Sequence, residues 1–233
     1  MNLSITEGLG AYWLIPQLVA FQRSNPRLTL NLRCTQNPPD LLRLEADISV
    51  QLVRPKEPDL KVVKLGYLHL MFFASRSYLD AHGSPKAISD LENHRLIVLT
   101  DDQGKWENSY QNALSGISPS GLVALRNNVS SAHFWSIVKG CGIGILPTYV
   151  QALGSNLVPL DIGAIHKHEI WLTYRSDAKR IARIRKTIDW TAQSFDPHKY
   201  PWFRDEFTHP SRFPEVYKGK PLTNQLFNIQ TPR

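Results

Sequence analysis

Asn127, Asn128, Ser130 and Ser131 open the stretch NNVSSAHFWSIVKGCGIGILPTYV, from Asn127 to Val150. Their amides and hydroxyls are of the kind that cap a helix N-terminus. A helix begun there also presents free N–H groups and partial positive charge, which suit an anion or a carbonyl oxygen. Capping alone accounts for the same residues equally well. Gly140 to Gly144, GCGIG, invites a dinucleotide reading, but Ile145 stands where that fingerprint needs its third glycine. The run also closes a helix and opens a strand, the reverse of what the fingerprint requires. His166 and His168 would share a strand face, yet no third metal ligand lies nearby, so they read as surface histidines. Asp101 and Asp102 read as the start of a polar loop. The chain has no GxSxG, HExxH, CxxC or Walker loop. No enzyme, no cofactor and no metal site are expected.

The elements that must position these residues follow the apolar periodicity. Val129, Phe134, Ile137, Val138 and Cys141 recur at three- and four-residue steps, as on one helix face, and Gly140 stops that helix. Ile143 to Leu146 reads as a buried strand, with Pro147 at the first position of a following helix. Earlier, Leu3 and Ile5 form a strand, Thr6 to Gly10 a turn, and Leu14, Leu18 and Phe21 one face of a helix that Asn25-Pro26 ends. Leu28 to Leu32 alternates as a strand, Asp40 caps a short helix through Leu44, and Asp47 to Leu52 is the next strand. This β-α-β-α-β order predicts a parallel, doubly wound sheet. Val62 to Leu65 and Tyr67 to Ala74 continue as strand, and Tyr67 to Phe73 is either buried on both faces or crosses between domains. Ser77 and Ser89 read as N-caps, Leu96 to Leu99 as a core strand, Trp106 to Leu114 as a helix and Leu122 to Leu125 as a strand. Leu157 to Leu160 and His168 to Tyr174 are further strands, and Ala178 to Phe195 is a helix.

Composition sets the bounds. Apolar residues make up 42% and charged residues 20% of 233, ordinary for a globular protein. No apolar run reaches the ~18 residues of a membrane span. MNLSITEGLG has no signal-peptide pattern, and Cys34 and Cys141 read as small buried hydrophobes in a reducing compartment. The net charge of +7 includes the run Lys179, Arg180, Arg183, Arg185, Lys186, a solvated helix face rather than a nucleic-acid footprint. From Asp196 onward, prolines forbid long helices while Tyr200, Trp202, Phe203, Phe207, Phe213, Tyr217 and Phe227 argue against a solvated tail. That tail is expected to wrap onto the body or onto a partner subunit.

Four pieces in order resemble the effector-binding domain of LysR-type transcriptional regulators, over Leu3 to Phe195: TEGLGAYWLIPQLVAFQRSNPRLTLNL, LLRLEADISVQL, ISDLENHRLIVLT and NNVSSAHFWSIVKGCGIGILP. The resemblance implies an α/β, two-lobed, type 2 periplasmic-binding-protein-like fold with two crossing strands and a ligand cleft. Residues 1–66 with 166–195 form lobe I, 67–165 lobe II, and 196–233 a C-terminal wrap or tail. The implied effector contacts are Thr6, Glu7, Gly8 and Arg54 on the first lobe. On the second they are Thr100, Asp101, Asn128, Val129 and Ser130, with Thr6 and Thr100 facing each other. Glu7-Gly8 and Val129 depart from the family's small polar-proline-threonine turn and from its common serine.

The resemblance further implies a cytoplasmic homodimer, a tetramer in a full-length regulator being open. In it the Tyr12 to Gln22 helix and the Leu28 to Leu32 strand of one subunit meet the Ser131 to Lys139 helix of the other. DNA would be reached only through an N-terminal winged helix-turn-helix absent from this sequence, which leaves open a piece of a longer protein or a natural product without that domain. No membrane partner is expected. A stand-alone solute-binding protein of a transporter is the alternative, and an enzyme on the same fold a third. The effector is a small polar metabolite. Arg54 and the helix start favour an acidic or polar planar group, whereas Glu7 and Asp101 favour an amine, and both remain open.

Overall fold

The computed structural model describes residues 1–100, 122–163 and 166–219. These fall into two compact units. The first holds Met1–Leu68, His168–Thr208 and Arg212–Gly219; the second holds His69–Lys167 and His209–Ser211.

In the first unit β1 (Asn2–Ile5) pairs in parallel with both β2 (Asn31–Cys34) and β3 (Ile48–Gln51). Strand β3 runs antiparallel to β9 (His166–Arg175), with Ile48 opposite Tyr174 and Gln51 opposite Trp171. Leu3, Ile5, Ile48, Val50, Leu172 and Tyr174 are all buried, so one face of this sheet is apolar core. A π-helix, Leu9–Leu14, leads into α1 (Ile15–Ser24), with Pro16 in the first turn where its missing N–H costs nothing. The 310 turn Ala178–Arg180 precedes α5 (Ala182–Ser194), which buries Ile184, Thr187, Ile188 and Thr191.

Strand β4 (Leu60–Ser75) belongs to the first unit through Leu68 and to the second from His69. In the second unit it is flanked on opposite edges by β7 (Ile143–Pro147) and β8 (Leu157–Leu160), so Phe72 and Phe73 are wholly enclosed. Strand β5 (Leu96–Leu99) lies parallel to β7 and to β6 (Val123–Asn127). Around them lie α2 (Arg76–His82), a 310 turn (Ile88–Asn93), α3 (Ser130–Val138) and α4 (Tyr149–Ala152).

Several local expectations need correction. The second strand begins at Asn31 instead of Leu28, because its register partner in β1 is Asn2 and no earlier strand residue exists to pair. Asp40 does accept from the amides of Leu42 and Arg43, but only a turn forms; Leu44 takes a φ of 64° and breaks it. The cap of α2 is Ser75, whose Oγ accepts from Tyr78 N–H, not Ser77. The 310 turn is capped by the Asp90 carboxylate, which accepts from Lys86 and Ala87, not by Ser89. Pro147 ends β7 instead of starting a helix, since the next amide, Thr148, supplies the bond to the His69 carbonyl at 2.8 Å. Both cysteines are exposed: Cys34 ends edge strand β2 and Cys141 follows the turn at Gly140. Helix α3 buries His133, Phe134 and Ile137 and leaves Val129 exposed. The helix expected over Trp106 to Leu114 lies outside the described residues.

The C-terminal segment is anchored to the body through some of its aromatic residues, while Phe207 is exposed. Tyr200, Trp202, Phe203 and Phe213 are buried. A short helical turn, Pro201–Phe203, brings three of these rings to Trp13, at centroid distances of 4.8, 5.0 and 5.4 Å. Helix α6 (Phe213–Val216) closes over Trp202 from the far side. Gly66 makes the approach possible: a Cβ there would collide with the Phe203 carbonyl oxygen, and its φ of 152° already disfavours a side chain.

Two predictions follow from this packing. Trp202→Ala should cost about 3–5 kcal/mol, and a chain ending at Phe195 should melt well below the intact one in a circular-dichroism scan. Equal melting temperatures would show that the segment contributes nothing to the body. The second concerns His133, which is 1% exposed and whose Nε2–H donates to the Ile145 carbonyl at 3.0 Å. Burial depresses its pKa to about 4 from an ordinary 6.5. Between those values the unfolded chain binds the proton and the folded chain does not, so stability is full above about pH 6.5 and falls toward about pH 4. Urea titrations across this window should show His133→Gln flattening the loss by up to about one proton. An unchanged slope would assign it elsewhere.

Candidate functional site

Parallel strands place their C-terminal ends, and the loops after them, on one edge of a sheet, where α/β proteins gather binding groups. In the first unit β1 and β3 end together at Ile5 and Gln51. Thr6 is anchored there by its N–H, which donates to the Val50 carbonyl at 3.2 Å, and by its own carbonyl, which accepts from Gly10 N–H at 2.9 Å. Glu7 and Gly8 continue in helical conformation into the π-helix. Gly10 rests so tightly on the sheet that a Cβ would overlap Cys34 Sγ and Ile5 Cγ2. Burial, and then the Glu7 carboxylate, hold the Tyr12 hydroxyl above its ordinary range, so it stays a donor.

Arg54 lies three residues past the end of β3. Its guanidinium sits 5.1 Å from the centroid of the Trp171 ring. Lys64 approaches the same ring at 6.0 Å and is engaged elsewhere: its Nζ donates to Tyr67 Oη at 2.7 Å and to Glu169 Oε1 at 3.2 Å. Those two bonds, Tyr67 first, raise its pKa. Arg54 has no carboxylate within ion-pair distance among the described residues.

Three further groups belong to this edge and its sheet. Ser49, Gln51 and Thr173 are 1%, 8% and 0% exposed. Ser49 Oγ, Gln51 Oε1 and Thr173 Oγ1 have no hydrogen-bond partner among the described residues. Sequence reasoning assigned them only to strands. Their alternation with Ile48, Val50 and Leu172 marks a strand, and carries no sign that these oxygens are buried without partners among the described residues.

In the second unit Thr100 closes β5, and both its N–H and its hydroxyl donate to the Asn127 carbonyl, at 2.7 and 3.1 Å. This fixes the end of β5 to the end of β6. Asn128 and Val129 follow directly, and Ser130 is the first residue of α3. Val129 stands at the N-cap position of that helix and makes no side-chain cap bond. The Asn127 side-chain amide is buried without a partner among the described residues. Thr6, Glu7, Gly8 and Arg54 thus share the strand-end edge of the first unit. Thr100, Asn128, Val129 and Ser130 share that of the second, and Asp101 lies outside the described residues. His166 and His168 belong to no group of three or more metal-ligating side chains among the described residues.

Comparison with known proteins identifies the fold and the family. A family model for the LysR substrate binding domain matches residues 1–196. The chain is 23% identical over 203 residues to the probable HTH-type transcriptional regulator LtrA of Klebsiella pneumoniae, covering 83% of this chain and 65% of that protein. It is 24% identical over 202 residues to the HTH-type transcriptional regulator DmlR of Escherichia coli K12, with 84% and 65% covered. It therefore spans just under two thirds of the length of these relatives. Among solved structures, the regulatory domain of CrgA, a LysR-type regulator from Neisseria meningitidis, superposes with a TM-score of 0.67 at 19% identity, covering 84% of this chain and 98% of that one. The effector domain of AmpR from Pseudomonas aeruginosa gives a TM-score of 0.64 at 16% identity, with 84% and 94% covered. The fold is that of LysR regulatory domains, the periplasmic-binding-protein-like α/β architecture. With the family model covering all but the last segment of its length, the chain belongs to the LysR substrate binding domain family.

Proposed function

We propose that this chain is the ligand-sensing and dimerising domain of a cytoplasmic LysR-type transcription regulator. The family match over residues 1–196 carries the reading. That family is one of effector-binding domains of regulators and not of enzymes. A small polar metabolite is the effector. The residues that would contact it are Thr6, Glu7, Gly8, Arg54, Thr100, Asp101, Asn128, Val129 and Ser130. Ligand binding then biases a DNA-binding domain elsewhere in the full protein, the part that the relatives' additional length accommodates.

Dimerisation is supported by apolar surface on the two elements expected to pair. On α1, Ile15 and Val19 are 45% and 53% exposed; on α3, Trp135 is 43% exposed, and Val129, the residue before the helix, is 39% exposed. Exposed apolar residues of this size, repeated on two helices, fit a self-complementary interface between two copies.

A thermal-shift screen of small acids, amino acids and their derivatives tests the effector reading. A true effector at ~100 times its Kd should stabilise the fold by roughly 2.7 kcal/mol. Thr6→Ala and Thr100→Val should each weaken its binding by about 1 kcal/mol while the chain still unfolds cooperatively. Normal binding to both variants would move the pocket elsewhere. Sedimentation equilibrium at tens of micromolar (roughly) should report dimer, and Val19→Glu or Trp135→Glu should shift it to monomer. A monomer in the unmodified chain would sink the dimer.

A further inference from the structure

The open requirement at the edge of the first unit is chemical. Ser49 and Gln51 alternate on β3 and so point to one face. Their register partners on β9 are Thr173 and Trp171, which point the same way. Three buried polar atoms without partners among the described residues therefore adjoin on a single patch of sheet, against the ring over which Arg54 lies. The opposite face of the same strands carries Ile48, Val50, Leu172 and Tyr174, so the polar groups are confined to one side of the sheet.

Buried polar atoms are almost always satisfied, and adjoining orphans point to a missing partner. The side-chain oxygen of Gln51 accepts and cannot donate, so its partner must bring an O–H or N–H. A bare anion there would meet the negative end of the amide dipole. The Arg54 guanidinium has the reverse need: it donates through a planar fork and matches a carboxylate. The Trp171 ring lies 5.1 Å from the Arg54 guanidinium, and Lys64 is already taken by Glu169 and Tyr67. Cross-strand neighbours such as Gln51 and Trp171 stand only about 5 Å apart. One small molecule can reach both groups.

We propose that this edge selects a small carboxylate that also carries a hydrogen-bond donor, a hydroxy or amino acid, with Arg54 taking the carboxylate and Gln51 the donor. This rests on the effector-binding reading above and deepens it: Gln51 is the specificity-determining residue, and a deoxy acid of the same shape is the ligand it rejects. Ser49 and Thr173 complete the patch directly or through water.

The test uses matched acids that differ only in the donor: propionate against L-lactate and L-alanine, and succinate against L-malate and L-aspartate, titrated calorimetrically into the whole chain. At least one donor-bearing acid should bind about tenfold or more tighter than its deoxy partner. Gln51→Met should bring that ratio to within about twofold, and Arg54→Met should remove binding of every acid. Gln51→Glu is the second variant. Its carboxylate should shift the preference toward the amino acid over the hydroxy acid, so the proposal stays testable if the methionine variant does not fold. Equal binding of deoxy and donor-bearing acids overturns the proposal, as does discrimination that survives Gln51→Met. Silence from all six acids overturns the ligand class. A hit in the wider metabolite screen would then leave the effector reading standing, and silence there too would remove both.

Discussion

The indole of Trp13 is the tie on which the first unit depends. Its Nε1–H donates to the Ser194 carbonyl at 2.8 Å, and its ring receives Tyr200, Trp202 and Phe203 edge-on. Edge-to-face pairs of this kind add about 0.5–1.5 kcal/mol each beyond area burial. The Ser194 carbonyl lies in the last turn of α5, where helix carbonyls lack internal donors, so Trp13 supplies one. Nearby, Tyr200 Oη donates to Gln17 Oε1, and Phe21 stacks on Trp190 at 4.4 Å. One helix near the start of the chain is thereby fastened along its length to residues near the end.

That fastening bears on the π-helix. A π turn wastes helix geometry and persists only where its surroundings hold it, often beside a functional site. Leu9–Leu14 is held by Trp13 within it and by the close seat of Gly10 on the sheet. Thr6, Glu7 and Gly8 immediately precede it, so the same packing that secures the C-terminal segment also sets the pitch of the loop proposed to meet the ligand.

How much of this was legible in the residues depends on what each residue had to satisfy. Core strands such as Leu96–Leu99 and Ile143–Leu146 were readable because an apolar run bounded by turns has few other homes. The family resemblance was readable for the same reason, as an order of such runs. Caps were not, because Ser75, Ser77, Asp90 and Ser89 compete within a residue or two and only the path of the backbone decides. The extent of β2 was set by β1, a partner distant in sequence. The cysteines misled because a thiol looks hydrophobic in composition while its burial depends on whether its strand is an edge. In the candidate site, the loops at strand ends could be located from the pattern. The buried oxygens of Ser49, Gln51 and Thr173 could not, since orphan status is a property of what surrounds an atom.

The first unit is assembled from chain segments that the second unit separates. Strand β3 needs β9 beside it, and Trp13 needs Ser194 and Phe203, whereas His69–Lys167 contributes nearly all of the second unit as one continuous stretch. On a ribosome that matters. The second unit can close while the chain is still being made. β1 to β3 wait with an unpaired edge for on the order of ten seconds, the time taken to synthesise the intervening hundred or so residues. The nascent N-terminal strands are therefore a part of this protein that a chaperone would have to shield until β9 pairs with β3. After that the aromatic segment can close on Trp13.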